Sequence, residues 1–279
     1  MSAGNSNELA SPVGRQYRYD RFTTSLLFRD LRFRKEAARP GDALPAFALV
    51  TTDGDSLGKQ DLPADKPLLL IFGSMTCPMT ASAMPFLLQL HTEFGDRVDF
   101  IMLNVREAHP GEHFPQPETM KAKLNHAEAL KQFYKIPWTV ATDNIEGNLH
   151  RALDPKPNSA FLANDDGIIV FRSLWASDKK ALRQALESVV AGRKPDQAES
   201  QTLIGPVSRA MGQVQGVMER AGPQAVKDLW VAGFPMALAG RLATIYSPLS
   251  PDQRGIAAVL TLAFGMLVAM GLIGAWFFG

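Results

Sequence analysis

The sequence predicts an α/β fold, with a central mixed sheet flanked by helices and a helical C-terminal extension that ends in a transmembrane helix. Two observations lead to this prediction. Short apolar runs typical of strands alternate with segments of helical periodicity over the first two thirds of the chain, and an uncharged apolar run lies near its end. The 279 residues, 46% of them hydrophobic, are enough for one domain with a real core plus additional segments.

The predicted sheet is built from short strands separated by turns and helices. Asp53-Gly54 and Asn164-Asp165-Asp166-Gly167 are turn sequences, and each is flanked by strand-like runs. The run from Leu68 to Phe72 is continuously apolar, as expected for a strand buried on both faces. The predicted strands are 47–51, 56–57, 68–72, 98–105, 138–141, 161–163 and 168–171, and the predicted helices are 78–94, 117–134 and 178–191.

This order of elements is informative about the fold. Strand, helix, strand and helix are followed by a terminal hairpin and a last helix, which is the order of a thioredoxin-like α/β domain. We expect this domain to cover residues 41–194.

Two segments outside this domain allow more than one interpretation. Residues 1–40 carry eight Arg or Lys interleaved with aromatic and aliphatic residues, so this arm either rests on anionic lipid or packs on the domain. Residues 195–250 are predicted to be a helical connector. Within it, 229–240 is apolar but too short to span a bilayer, so it is an interfacial helix, a partner surface or a packed connector.

Residues 251–279 are predicted to form a single transmembrane helix. The run from Ile256 to Phe278 has no charged residue and would span roughly 34 Å as a helix, more than the hydrocarbon core of about 30 Å. Arg254 precedes the run, and the positive-inside bias then places the main domain on the cytoplasmic side of the membrane. A buried core helix is the alternative, and small residues at four-residue spacing allow a homodimer.

Composition excludes several classes of function. A net charge of +1 gives no reason to expect a nucleic-acid partner. Cys77 is the only cysteine, which excludes an internal disulfide, a CxxC redox pair and a cysteine-based zinc site. We expect no metal and no bound cofactor, and no secretory signal is visible, so the domain should lie in the reducing cytoplasm.

Cys77 follows the buried strand 68–72, in a turn that leads into a helix beginning at Pro78. Backbone N–H groups and the helix dipole at such a turn favour thiolate over thiol. The strands 68–72 and 98–105 should be parallel neighbours, so their carboxyl ends share one edge of the sheet. That edge brings Glu107 and His109 beside Cys77.

These groups suit attack by a thiolate on an electrophile. Ser74 and Thr76 could donate hydrogen bonds to the sulfur or to the substrate, and His109 could act as acid or base near its ordinary pKa. Glu107 could orient that imidazole or hold a proton. Four of these residues have an alternative role: Cys77 as a buried apolar residue, Thr76 as a helix cap, and Glu107 and His109 as solvated loop residues. Arg106 could supply positive charge, His91, His126 and His150 are interpreted as structural or exposed, and His113 is left undecided.

The run from Phe72 to Pro78, followed by Glu107-Ala108-His109, resembles the iodothyronine deiodinase family, with Cys77 at the position of its selenocysteine. The similarity runs from about residue 40 to residue 186. The resemblance implies a thioredoxin-like fold and reductive removal of halogen by the chalcogen, aided by Glu107 and His109. The substrate would be a small electrophilic molecule, and an external thiol or thioredoxin-type system would be the reductant.

Two other functions remain open. The spacing of Ser74 and Cys77 is also similar to the active site of peroxiredoxins, although Ile71 stands where those proteins have proline, so a one-cysteine peroxidase is one alternative. A non-catalytic membrane scaffold is the other. The preferred interpretation is a membrane-tethered, thiol-dependent oxidoreductase of the deiodinase-like type.

Overall fold

The computed structural model of the protein describes residues 17–278, except for the side chains of residues 274, 275, 277 and 278. Strands and helices alternate through the central part of the chain, as the sequence predicts. In chain order the described elements are α1 (Thr24–Asp30), β1 (Ala48–Thr51), β2 (Ser56–Gly58), a short 3-10 helix (Lys59–Asp61), β3 (Leu68–Gly73), α2 (Pro78–Phe94), β4 (Asp99–Asn104), α3 (Met120–Tyr134), β5 (Thr139–Thr142), α4 (Asn148–Leu153), β6 (Ala160–Ala163), β7 (Ile169–Ser173), α5 (Lys179–Val190), β8 (Glu199–Ser200), α6 (Ile204–Ala221), α7 (Pro223–Ala232), α8 (Phe234–Ala243) and α9 (Pro251–Phe278).

The strands form one mixed sheet in the order β2-β1-β5-β4-β3-β6-β7-β8. β3 lies between β4, its parallel partner, and β6, its antiparallel partner. The βαβ unit β3-α2-β4 and the hairpin β6-β7 followed by α5 make this a thioredoxin-like fold. Because Gly73 pairs with Asn104 at the end of the ladder, the loops after β3 and β4 leave the sheet at the same level.

β3 is buried along its whole length because both faces of the sheet are covered. Leu68, Leu70 and Phe72 face one core, which is completed by α4, by α6 to α8 and by the segment before β1. Leu69 and Ile71 face a second core with α2, α3 and α5. The alternation of side chains along a strand accounts for this division.

Helix α3 begins later than the sequence predicts. It starts at Met120 rather than at residue 117, because the Thr119 side chain accepts a hydrogen bond from the backbone N–H of Ala122 and caps the first turn. It ends at Tyr134, and the next residue, Lys135, closes the last turn in a left-handed conformation (φ 52°).

The connector after β8 is a set of three helices. Pro223 and Pro235 each lie in the first turn of a helix, where a missing backbone N–H is tolerated. The apolar stretch 229–240 is therefore not one interfacial helix, since Gly233 separates α7 from α8 within it.

The described part of the N-terminal arm packs on the domain. Phe22, Leu26 and Phe33 are buried in the first core. Arg21 forms an ion pair with Asp228 of α7 at 2.6 Å. From residue 17 onward the arm therefore takes the packed form of its two predicted alternatives, while residues 1–16 lie outside the described part.

Helix α9 leaves the domain after a close crossing with α6. A side chain at Gly255 would collide with the backbone carbonyls of Ser208 and Arg209, so only glycine permits this approach. Beyond the crossing, large apolar side chains such as Leu260 and Phe264 are exposed. Within residues 17–278, α9 is the one helix long and apolar enough to cross a membrane, over Pro251–Ile273. Its exposure disfavours the buried-core alternative.

Candidate active site

Cys77 lies at the turn between β3 and α2, as the sequence predicts. It is the N-cap residue of α2, and Pro78 occupies the first turn of that helix. The thiol is almost completely buried, with 1% of the residue exposed. The alternative role of Thr76 as the helix cap is wrong, because the chain becomes helical one residue later.

The turn was predicted to favour the thiolate, but in this structure the buried environment favours the neutral thiol. Burial raises the pKa of Cys77 to about 11, because a buried anion loses its hydration. Hydrogen bonds from the Thr80 side chain and from the backbone N–H groups of Thr80 and Met79 lower this pKa in part. The hydroxyl that forms a hydrogen bond with the sulfur therefore belongs to Thr80, which lies in the first turn of α2.

The Cys77 residue lines a small apolar cavity of about 70 Å³. This volume is below the range of about 300–1,000 Å³ that is typical of pockets for drug-sized ligands. The cavity must therefore widen to admit a molecule of that size. Its walls come from the Cys77 turn, the N-terminal segment, the loop after β4, and helices α6 and α8, through residues that include Phe22, Asp30, His109, Val207, Met211 and Met236.

His109 lies in the same cavity wall as Cys77. Its ring packs on the ring of Phe22 with 4.2 Å between centroids. Burial lowers the pKa of His109 to about 4, so the imidazole is neutral at pH 7. Its Nδ1 atom is buried and has no hydrogen-bond partner in the described part of the chain. The sequence correctly brings His109 to Cys77, but its pKa is not near the ordinary value.

Glu107 is fully buried in a polar network beside the cavity. Its Oε2 atom accepts hydrogen bonds from the Thr76 hydroxyl at 2.6 Å and from the Thr76 backbone N–H at 3.0 Å. Its Oε1 atom lies 2.9 Å from Nδ1 of His126. The expected contact between Glu107 and the imidazole of His109 is therefore replaced by a contact with a different imidazole.

Thr76 links this network to the His109 loop. Its hydroxyl oxygen accepts a hydrogen bond from the backbone N–H of His109 at 3.1 Å while donating to Glu107. Ser74 acts similarly, since its hydroxyl accepts from the backbone N–H of Ala108 at 3.3 Å. Both hydroxyls therefore hold the loop after β4 against the Cys77 turn. The sulfur is hydrogen-bonded by Thr80 and Met79 instead, and donation by Ser74 or Thr76 to a substrate stays a prediction.

Gln116 and His126 are parts of the site that the sequence does not reveal. The Gln116 side chain accepts from the backbone N–H of Glu107 at 3.0 Å and donates to its carbonyl at 2.7 Å. His126, interpreted from the sequence as structural or exposed, contacts Glu107 from α3. His126 shares a helix face with Lys123, Ala127 and Leu130, which are the buried residues of α3, but the structure and not the sequence identifies this face.

Arg106 does not supply positive charge to the sulfur. Its guanidinium donates to the backbone carbonyls of Tyr17 at 2.7 Å and of Pro155 at 2.8 Å. It also lies about 5 Å from the rings of both Tyr17 and Tyr19. These contacts fix the N-terminal arm to the loop after β4, outside the Cys77 cavity. His113 is exposed, and its Nδ1 atom lies 3.1 Å from the Arg220 carbonyl.

Comparison with known proteins identifies the matching segment. The family model for iodothyronine deiodinase matches residues 11–131, which include all five predicted site residues. The type II iodothyronine deiodinase of Fundulus heteroclitus is 32% identical over 34% of this chain and 40% of its own length. That of Aquarana catesbeiana is 30% identical over 42% of this chain and 53% of its own. The chain thus spans about half of these relatives or less.

Solved structures resemble the chain more distantly. An uncharacterized conserved protein from Geobacillus kaustophilus covers 58% of this chain and 87% of its own at 18% identity, with a TM-score of 0.49. A putative thiol:disulfide interchange protein DsbE from Chlorobium tepidum covers 55% and 99% at 19% identity, with a TM-score of 0.45. The fold assignment depends on the sheet order described above. On that thioredoxin-like fold, the segment from residue 11 to residue 131 is deiodinase-like.

Proposed function

We propose that this protein is a membrane-tethered, thiol-dependent oxidoreductase of the deiodinase-like type, in which Cys77 removes halogen from a small apolar molecule. One observation carries the proposal. The only thiol of the chain and the His109 imidazole, whose buried Nδ1 atom has no hydrogen-bond partner within residues 17–278, line the same apolar cavity in the deiodinase-like segment. A cavity of this kind suits an uncharged organic substrate.

In the first step, His109 accepts the proton of the Cys77 thiol. The thiolate attacks the halogen of a carbon–halogen bond, a sulfur–halogen bond forms, and the carbon–halogen bond breaks. The carbon keeps the electron pair of the broken bond and takes the proton back from His109. The substrate carbon is thereby reduced by two electrons, and the sulfur of Cys77 is oxidised by two.

In the second step, an external thiol regenerates Cys77. It attacks the sulfur of the sulfenyl halide, releases halide and a proton, and leaves a mixed disulfide. A second external thiol then attacks this disulfide and restores the Cys77 thiol. Two external thiols are needed because the chain has no second cysteine.

The pKa values of both groups support a reaction that depends on opening of the cavity. Burial is the largest cause of the raised pKa of Cys77 and of the lowered pKa of His109. In the closed cavity the pair therefore rests as neutral thiol and neutral imidazole. Widening that admits water moves both pKa values toward their ordinary ranges, which eases proton transfer from the thiol to the imidazole.

The alternatives receive different support. A one-cysteine peroxidase needs a guanidinium near the sulfur, whereas Arg106 is held by carbonyls outside the cavity. An inert cysteine in a scaffold agrees with the buried thiol, so activity must separate that alternative from the enzyme. For localisation, we propose that α9 inserts into the bilayer and that the domain faces the cytoplasm, where reducing thiols are available.

The test uses the full chain in phosphatidylcholine vesicles, with dithiothreitol as reductant and an iodinated phenol as substrate. Iodide release is measured by ion chromatography. We expect Cys77→Ser to abolish release and His109→Gln to reduce it by about 100-fold, the lower end for loss of an acid–base group. The matched control is His113→Gln, an exposed imidazole of the same loop, which should retain the wild-type rate.

Iodide release that persists in Cys77→Ser would reject the proposal. Consumption of a hydroperoxide without iodide release by the wild-type protein would favour the peroxidase instead. If the protein reduced neither the iodinated phenol nor the hydroperoxide in the presence of dithiothreitol, the scaffold would be favoured.

A further inference from the structure

A second apolar cavity adjoins the one that contains Cys77. It is a groove of about 430 Å³ between helices α6, α8 and α9. Four residues line both cavities, namely Leu31, Val207, Met211 and Met236. A wall one side chain thick therefore separates the groove from the cavity of the thiol. Two of its members are methionines, whose unbranched side chains change rotamer more easily than branched ones.

The outer side of the groove is formed by the candidate membrane span. Val259, Leu262, Ala263 and Met266 of α9 line it, and all four belong to the segment Pro251–Ile273 that is long and apolar enough to cross a bilayer. The groove is thus open at the depth where lipid would surround α9.

The surface around the groove is also apolar. Ile204 lines the groove and is 84% exposed. On α7 and α8, Val231 and Phe234 are 86% and 56% exposed, and Phe234 directly precedes the groove residue Pro235. Side chains of this kind are costly in water and favourable against hydrocarbon, so this face is suited to contact lipid.

Charge restricts what the groove can hold. Ser208 is the one polar residue in its lining, and no lysine, arginine, aspartate or glutamate of the described chain lines it. An ionised ligand would lose its hydration there without gaining a partner. An uncharged molecule already dissolved in lipid would lose nothing comparable.

We propose that the groove is the entry path by which uncharged, membrane-dissolved small molecules reach Cys77 from the bilayer. The path leads from lipid past Ala263 and Ile204, and then through the wall of Val207, Met211 and Met236. As a statement about the substrate class it rests on the proposed function, which supplies the reaction at Cys77. The position of the path can be tested without that reaction.

The test exploits the single thiol of the chain. The full-length protein in phosphatidylcholine vesicles is treated either with N-octylmaleimide, which partitions into lipid, or with the water-soluble anion 3-maleimidopropionate. The rate of alkylation at Cys77 is followed by mass spectrometry. Both reagents carry the same reactive group and meet the same thiolate fraction, so a change in the ratio of their rates between the wild-type protein and a variant reports a change in access.

The key variant is Ala263→Trp, which fills the groove from an exposed position of α9. We expect it to slow alkylation by N-octylmaleimide at least tenfold and to change the rate with 3-maleimidopropionate by less than twofold. Ile204→Trp at the mouth of the groove should act in the same direction. The matched control is Ala269→Trp, also exposed on α9 but outside the groove, which should change neither rate.

Two results would overturn the entry path. They are equal slowing of both reagents by Ala263→Trp and an equal effect of Ala269→Trp. If selective slowing occurs but no halide is ever released, the entry path stands and the proposed reaction fails.

Discussion

Two adjacent regions lie where β3 and β4 end, and they differ in whether their buried polar atoms have hydrogen-bond partners. In the cavity region, Nδ1 of His109 and Oδ1 of Asp30 are buried without a hydrogen-bond partner within residues 17–278. In the network region, both oxygens of Glu107 are bonded, to Thr76 and to His126. The two regions meet at Thr76, whose hydroxyl holds the loop that carries His109.

This difference separates stability from reactivity. A buried polar atom without a partner costs about 1–3 kcal/mol, whereas a satisfied network contributes to a single fixed geometry. The network region therefore holds the turn and the loop in place. The cavity region places the thiol beside an imidazole whose Nδ1 atom has no hydrogen-bond partner within residues 17–278, so that atom is available to a proton or a ligand.

The largest expected effect comes from breaking the network region. Glu107→Ala removes the acceptor for two donors of Thr76 and for His126, so we expect the free energy of unfolding to fall by about 4 kcal/mol. Urea unfolding in detergent micelles, followed by tryptophan fluorescence, measures it. Glu118→Ala, at an exposed position, is the control and should cost less than about 0.5 kcal/mol. A similar small loss in Glu107→Ala would contradict the stabilising role of this region.

The next effect concerns the cavity region and depends on pH. The pKa of His109 is about 4 in the folded protein and 6.5 in the unfolded chain, so between these values the unfolded chain binds the extra proton. Acidification through this window therefore destabilises the fold, by up to about 3 kcal/mol from His109. His150, whose pKa burial also lowers, acts in the same direction.

His109→Phe keeps a ring against Phe22 and removes the titrating group. We expect the variant to match the wild-type stability within about 1 kcal/mol at pH 7 and to lose less stability between pH 6.5 and pH 4. The raised pKa of Asp30, about 6, has the opposite effect in this window but is common to both proteins. If the free energy of unfolding fell equally in the two proteins over this pH range, His109 would not be buried as described.

The smallest expected effect comes from Asp30. Burial raises the pKa of Asp30 to about 6, so its carboxylate is ionised at pH 8. That negative charge contributes to the raised pKa of Cys77. In Asp30→Asn we expect the Cys77 pKa to fall by a few tenths of a unit, which makes alkylation by iodoacetamide at pH 8 about twofold faster. Asp20→Asn, at an exposed position, should leave the rate unchanged. A slower reaction in Asp30→Asn would mean that this carboxylate does not act on the thiol through its charge.

Much of the fold was predictable because its signals are local. The continuous apolar run of β3, the turn dipeptides of the hairpins and the helical periodicities each lie within about 20 residues. The meeting of Cys77 with His109 was also predictable, since parallel strands joined by a right-handed crossover place their carboxyl ends together. The helix α3 began late because a single hydroxyl, that of Thr119, decided its first turn.

The errors concerned the surroundings of the site. The helix terminus at Cys77 was expected to favour thiolate, but residues of α6 and α8, over 100 positions later in the chain, bury the thiol. That burial outweighs the helix terminus because the loss of hydration raises the pKa of a buried thiol more than nearby N–H groups lower it. The contact of Glu107 with His126 was missed for a related reason, since the side of α3 that faces the site depends on long-range packing.

The close crossing of α6 and α9 has a mechanical consequence. Gly255 of α9 rests against the backbone of Ser208 and Arg209, and the neighbouring Val207 and Met211 form the wall of the thiol cavity. The same part of α6 therefore contacts α9 and lines the cavity of the thiol. Helices adjust their tilt to the thickness of the bilayer. A thinner or thicker membrane would therefore change the tilt of α9 and displace α6 at their crossing. The lipid composition around α9 would then set how readily the thiol becomes accessible.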